Sequence, residues 1–146
     1  MFRNADESHQ HSLQTLNQLY EYDDFMMSIK TVVDLGCGVG KDLEWWATRT
    51  IRDSRSTPLK IKCTGVDILN RMPIAANYSN MLYQRADFEV KVNAPPEKFD
   101  ILWCHDAFQY VVDPIKTLTY WRDISSPGAM LALIVPQTTN IHQSDL

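Results

Sequence analysis

Residues 32–40 read Val32-Val33-Asp34-Leu35-Gly36-Cys37-Gly38-Val39-Gly40, two β-branched residues and an acid followed by three glycines spaced two apart. The first half has the composition of a buried strand, and the second half is a turn that glycine alone makes easily, so something must approach that backbone closely. Lys41 to Ala47 follows with good helix formers and no glycine or proline, which starts a helix whose free N–H groups face the same space. Strand, glycine turn and helix N-terminus together make a nucleotide-type site.

Spacing narrows the nucleotide. The dinucleotide fingerprint needs glycines at its first, third and sixth positions. Counted from Gly36, the sixth position is Lys41, and the third glycine stands at the fifth, Gly40. A Walker-type loop also fails, because no Gly-Lys-Ser/Thr follows. In place of a phosphate reader the strand ends on Asp34, a carboxylate that would repel a pyrophosphate but hold an amino group.

With 146 residues the chain is one domain, long enough to bury a core. Its 45% hydrophobic, 22% charged and 10% aromatic content is that of a soluble globular protein, and a net charge of −4 argues against a general nucleic-acid grip. Cys37, Cys63 and Cys104 form no C-x-x-C pair and sit in or beside apolar strands. They read as reduced, packed thiols rather than a disulfide framework or a zinc site. The polar start MFRNADESHQHS is no export signal, and the longest apolar run, Ala129 to Val135, is far short of a membrane span. The expected location is the cytoplasm.

Residues 1 to about 8 are polar and expected to be loose. From about His9 to Ile29, Leu13, Leu16, Leu19, Tyr20, Phe25, Met26 and Met27 recur at helical spacing, predicting one or two amphipathic helices packed on the sheet edge. The run TRTIRDSRSTPLKIK, with Arg49, Arg52, Arg55, Lys60 and Lys62, is expected as a solvated loop at the bottom of the sheet. Lys60 to Ile68 is a second strand ending in Asp67, placed to accept hydrogen bonds from both ribose hydroxyls, with Ile68 as an apolar wall for a base. Met72 to Tyr78 predicts a short helix and Met81 to Gln84 a third strand. Pro95 and Pro96 argue against a helix before the fourth strand, Phe99 to Cys104. Asp113-Pro114 caps a helix with Ile115, Leu118, Tyr120 and Trp121 on its buried side. Ser126-Pro127-Gly128 stops it, and Ala129 to Pro136 is a fifth buried strand. Trp45 and Trp46 could stack on bases, but this close to the turn at least one packs on the sheet.

These features resemble the class I S-adenosylmethionine-dependent methyltransferases, in their small-molecule-type branch. VVDLGCGVG fits that family's first motif at every place, and the likeness runs from about Thr31 to Pro136. It implies a Rossmann-like α/β fold, a doubly wound, mostly parallel sheet, with S-adenosylmethionine as cofactor. The family's usual C-terminal antiparallel strand pair is lacking, as expected of a truncated chain, with dimerisation through an exposed fifth strand and a minimal natural variant as the alternatives. The implied division is an N-terminal helical lid or edge segment (1–30), the cofactor-binding core (31–136) and a polar tail (137–146).

The resemblance gives Asp34, Gly36, Cys37, Gly38 and Gly40 to the amino-acid end of the cofactor. It also gives Asp87 to the adenine amine and Phe88 to the ring, and it counts Ile68, beside Asp67, and Cys104 among the cofactor contacts. His105 and Asp106, in the loop after the fourth strand, are candidates for orienting the acceptor or removing its proton, with backbone capping as their structural alternative. Where the branch often pairs His-His or Glu-His, this chain has Gln109-Tyr110. The expected activity is methyl transfer to a small molecule. No Pro-Cys pair and no Asp/Asn-Pro-Pro-aromatic signature points to nucleic-acid bases. Rival readings are a non-catalytic cofactor-binding subunit acting through a partner, and a nicotinamide-dependent dehydrogenase. No metal site is expected.

Overall fold

The structure is a computed structural model that describes residues 5–22, 26, 28–52, 58–69 and 72–135. The elements are α1 (Ala5–Tyr20), β1 (Thr31–Leu35), α2 (Lys41–Ala47), β2 (Thr50–Arg52), β3 (Pro58–Lys60), β4 (Lys62–Asp67), β5 (Met81–Arg85), β6 (Phe99–His105), α3 (Pro114–Asp123) and β7 (Ser125–Ile134). Two 3₁₀ turns, Pro73–Asn77 and Phe108–Tyr110, complete the set. Five strands form one sheet in the order β5-β4-β1-β6-β7, and every pairing in it is parallel. This is the expected Rossmann-like arrangement. Strand order reverses at β1, with β4 on one side and β6 on the other, and ligands of such sheets bind outside the carboxyl ends at that point.

All five residues of β1 are buried, as a central strand covered on both faces requires. Alternation divides the core. Val32, Trp103 and Ile101 face the layer that holds Leu16 of α1 and Leu43, Trp45 and Trp46 of α2. Val33, Leu35, Leu102 and Cys104 face the layer that holds Trp121 and Ile124. Both tryptophans of α2 are core residues, with Trp46 edge-on to Trp103 at 6.1 Å between ring centroids. All three cysteines are free and buried.

Several expectations are corrected. The first helix begins by Ala5, so residues 5–8 are not loose. The basic run is not all loop, because Thr50–Arg52 and Pro58–Lys60 pair antiparallel as a small ribbon. In α3 the buried residues are Thr117 and Trp121, whereas Ile115 is 76% exposed. Positions 117 and 121 lie one turn apart on the inward stripe, and 115 lies round the helix from them. That helix ends at Asp123, before Ser-Pro-Gly, and β7 already begins at Ser125. Ser126–Ala129 instead form an irregularity inside β7, since Phe99 pairs with Ser125 and Ile101 with Met130. Pro127 offers no N–H and Gly128 takes φ +78° there. Finally, β7 is not a buried strand. Leu131 and Leu133 are exposed, and among the described residues nothing pairs with its outer edge. The polar tail 137–146 lies outside the described residues.

Candidate cofactor site

The glycine turn leaves β1 with Gly36, Gly38 and Gly40 all at positive φ, +81°, +54° and +91°. A side chain at Gly36 would put its Cβ 2.6 Å from that of Ala107, and one at Gly40 would meet Met72 at 2.8 Å. The first contact sets the turn against the loop after β6, and the second lets Met72 cover the start of α2. Gly38 differs, because nothing lies within 4 Å of where its Cβ would be. Backbone that needs glycine yet faces open space is the point where a ligand can reach the main chain.

Two carboxylates, Asp34 and Asp67, stand at this turn. Asp34 is buried beneath it, with Gly65 and Trp103 as its register partners on either side. Burial, then the charges of Asp42 and Asp67, push its carboxyl well above the ordinary range. Asp67, at the end of β4, accepts from the Gly38 N–H at 2.8 Å and from the Leu69 N–H at 3.1 Å, tying the strand end to the turn. Asp87 follows β5 and accepts from the Glu89 N–H at 2.9 Å.

Phe88 reaches to 3.5 Å of the Gly36 Cβ position and leans on Trp121. Ile68 is 65% exposed beside Asp67. The Cys37 thiol lies on Gly65 and is held protonated by burial and by Asp34 and Asp67. Cys104 is wholly buried in the second core layer, so the structure does not bring it to the open side of the turn as a cofactor contact. A groove of about 790 Å³ lies elsewhere, between α3 and the amino ends of β6 and β7, lined by Lys98, Leu118, Trp121 and Leu131 among others.

His105 and Asp106 close β6 on the other side of the turn, and Asp106 is strained at φ +56°. Their partners are polar residues of α1, a helix expected from the sequence for its apolar side alone. The Ser8 hydroxyl donates to Asp106 Oδ2 and lies within 3.2 Å of His105 Nδ1. His11 Nδ1 is 3.1 Å from His105 Nε2. Beneath them Asp42 gathers His9 Nδ1 and the Ser12 hydroxyl, each at 2.7 Å, on Oδ1. Its Oδ2 takes Trp103 Nε1 at 3.0 Å and lies 3.4 Å from His105 Nδ1. Burial alone would raise the Asp42 carboxyl, but His105, His9, Ser12 and Trp103 outweigh it and hold the group below the usual carboxylate range. A signal was present in the sequence: the apolar period of α1 starts only at Leu13, and the turns before it carry Ser8, His9, His11 and Ser12 where an inward face should be.

No curated protein matches the chain. A chain of a solved structure described as "Complex between the Haloferax volcanii Trm112 methyltransferase activator and the putative methyltransferase" shares the fold, with TM-score 0.57 and 22% identity over 87% of this chain and 55% of that one. The present chain thus spans little more than half the length of that relative. Residues 33–133 match the family profile described as a methyltransferase domain. That match covers most of the molecule, from the glycine turn through β7, and the chain belongs to the methyltransferase-domain family.

Proposed function

We propose that the chain holds S-adenosylmethionine in the crevice at the carboxyl ends of β1, β4 and β5 and transfers its methyl group to a small-molecule acceptor. The observation that carries this reading is the pair of carboxylates, Asp34 and Asp67, at a glycine turn that is open at Gly38. Acids without a phosphate-reading motif suit a cation and hydroxyl groups, and they would repel a pyrophosphate. An ammonium group above Asp34 would relieve the penalty that burial and two neighbouring acids place on its charge. The Gly36–Gly40 main chain packs against the ligand's amino-acid end, Asp67 exchanges its bond to the Gly38 N–H for the ribose hydroxyls, Ile68 and Phe88 flank the base, and Asp87 accepts from its amine.

The cofactor, when bound, supplies an electrophilic methyl group on a cationic sulfur. The protein's part is to align the acceptor, exclude water and take up a proton where the acceptor carries one. His105 and Asp106, in the loop that meets the turn through Ala107, belong to the polar cluster on the acceptor side.

Calorimetric titration tests the reading. S-adenosylmethionine should bind and a nicotinamide dinucleotide should not; binding of the dinucleotide alone would overturn it. Asp67→Ala should weaken cofactor binding by about 1–3 kcal/mol, the scale of hydrogen bonds to a charged group. Turnover with a radiolabelled methyl donor across a metabolite pool would identify the acceptor. A second reading, methyl transfer only in company with another chain, is favoured by the solved complex with an activator and by the unpaired outer edge of β7 among the described residues. Turnover that appears only when such a partner is added would select it.

A further inference from the structure

We infer that His11, on the N-terminal helix, is the general base toward the methyl acceptor, and that Asp42 and His105 set it in the right tautomer through a two-imidazole relay. The inference rests on the methyl-transfer reading above and adds to it the residue that meets the acceptor's proton.

Asp42 anchors the relay. Its carboxyl is held ionised by four donors, so it can only accept, and the facing nitrogen of His105, Nδ1 at 3.4 Å, carries a hydrogen. Ser8 agrees with this: its hydroxyl hydrogen goes to Asp106 Oδ2, leaving its oxygen to accept from the same Nδ1 at 3.2 Å. A neutral imidazole has one hydrogen, so Nε2 of His105 presents a lone pair. His11 Nδ1 lies 3.1 Å from that lone pair and must donate to it. The remaining nitrogen of His11, Nε2, is then left with its lone pair on an exposed side chain. Asp42 thereby fixes the proton on two successive rings, as a buried carboxylate fixes one in a serine-protease triad.

Ring geometry favours a proton path over a metal site. The atoms of His11, His105 and Asp106 come within 4.8 Å of one another, as metal ligands would. However, the two ring centres are 5.3 Å apart with planes only 24° from parallel. At a nitrogen separation of 3.1 Å that is close to the largest centre-to-centre distance two imidazoles can have, so the nitrogens point at each other end to end. That is the direction of an N–H···N bond, whereas two ligands of one ion would converge at an angle.

The position is right for the acceptor. His105 ends β6, which pairs with β1 up to the Asp34–Trp103 step, and Ala107 abuts Gly36. In the step itself a protic acceptor uses its lone pair to form the bond to the methyl carbon. The carbon–sulfur bond breaks with its electrons on sulfur, and the acceptor's proton passes to His11 Nε2. The resulting positive charge can be shared with His105 by moving the Nδ1 hydrogen of His11 to His105 Nε2, beside Asp106 Oδ2 at 3.6 Å.

Nitrogen-detected NMR of the imidazoles in the full chain, without cofactor, tests the relay separately from methyl transfer. The expected spectrum has both His105 and His11 as Nδ1–H tautomers. In Asp42→Asn both should move to Nε2–H, because the amide cannot accept from all the donors it faces. Should that variant fail to fold, the surface change His11→Gln should keep His105 as Nδ1–H while shifting its Nε2 resonance. His11 found as Nε2–H in the wild type, or tight one-to-one zinc binding that His11→Gln removes, would overturn the relay even if S-adenosylmethionine binds as proposed. With an acceptor in hand, His11→Gln should lower kcat by about 10²–10⁴-fold, the usual contribution of a general base, with cofactor affinity unchanged. Unchanged kcat would equally overturn it.

Discussion

Asp34 and Gly38 show how single residues adapt this chain to a ligand. A carboxyl whose folded pKa is raised binds more protons in the native state than in the unfolded one, so its contribution favours folding at acid pH. That contribution is lost as pH rises from the ordinary carboxylate range through the raised folded value. Asp34→Asn should therefore melt at a higher temperature than the wild type at neutral pH, and should gain less on acidification. Equal melting curves from pH 5 to 8 would mean that Asp34 carries no penalty. Gly38→Val probes the opposite property. Nothing crowds its Cβ, so the fold should lose only the backbone strain of positive φ, about 1–3 kcal/mol. Cofactor binding should disappear, and a titration showing wild-type affinity would mean that the ligand does not approach this backbone.

At the scale of elements, α3 and α1 are held by different means. Asp113 caps α3 by accepting from the Lys116 N–H at 3.1 Å, with Pro114 in the first turn. Asp113→Ala should cost about 1 kcal/mol in denaturant unfolding. Inside, Trp121 is 1% exposed and donates its Nε1–H to the Phe88 carbonyl, so α3 also positions the aromatic beside the glycine turn. Docking of α1 is polar at its start and apolar beyond, where Leu16 is fully buried. The Asp42 carboxyl, depressed by its donors, stabilises the fold above the ordinary carboxylate range, and this is lost as pH falls through its folded value. Amide exchange in α1 should accordingly accelerate in strong acid before that of β1. Equal protection of the two would show that Asp42 does not hold the helix.

Across the whole molecule, protection should fall outward from β1, which is buried along its length and hydrogen-bonded on both sides. β7, with exposed leucines and an unpaired outer edge among the described residues, should exchange faster. Slow exchange along β7 would indicate that something covers it. Local chemistry made the parallel core readable from sequence: glycines after a β-branched run, acids at strand ends, and Asp-Pro before a helix each act within a few residues of themselves. The same locality explains the failures. Ser-Pro-Gly is a stop signal by composition, yet sheet pairing resumes on both sides of it, and Ile115 falls on the apolar side of the sequence pattern but not of the packed helix. What the sequence by itself determined is the glycine turn, the succession along the chain of the five strands of the main sheet, and the acids Asp34 and Asp67 at or near the ends of two of them. Only the tertiary structure decided that Ser8, His9, His11 and Ser12 meet Asp42 and His105, because those hydrogen bonds join residues 30 to 98 positions apart, and no periodicity along a chain encodes a contact at that distance.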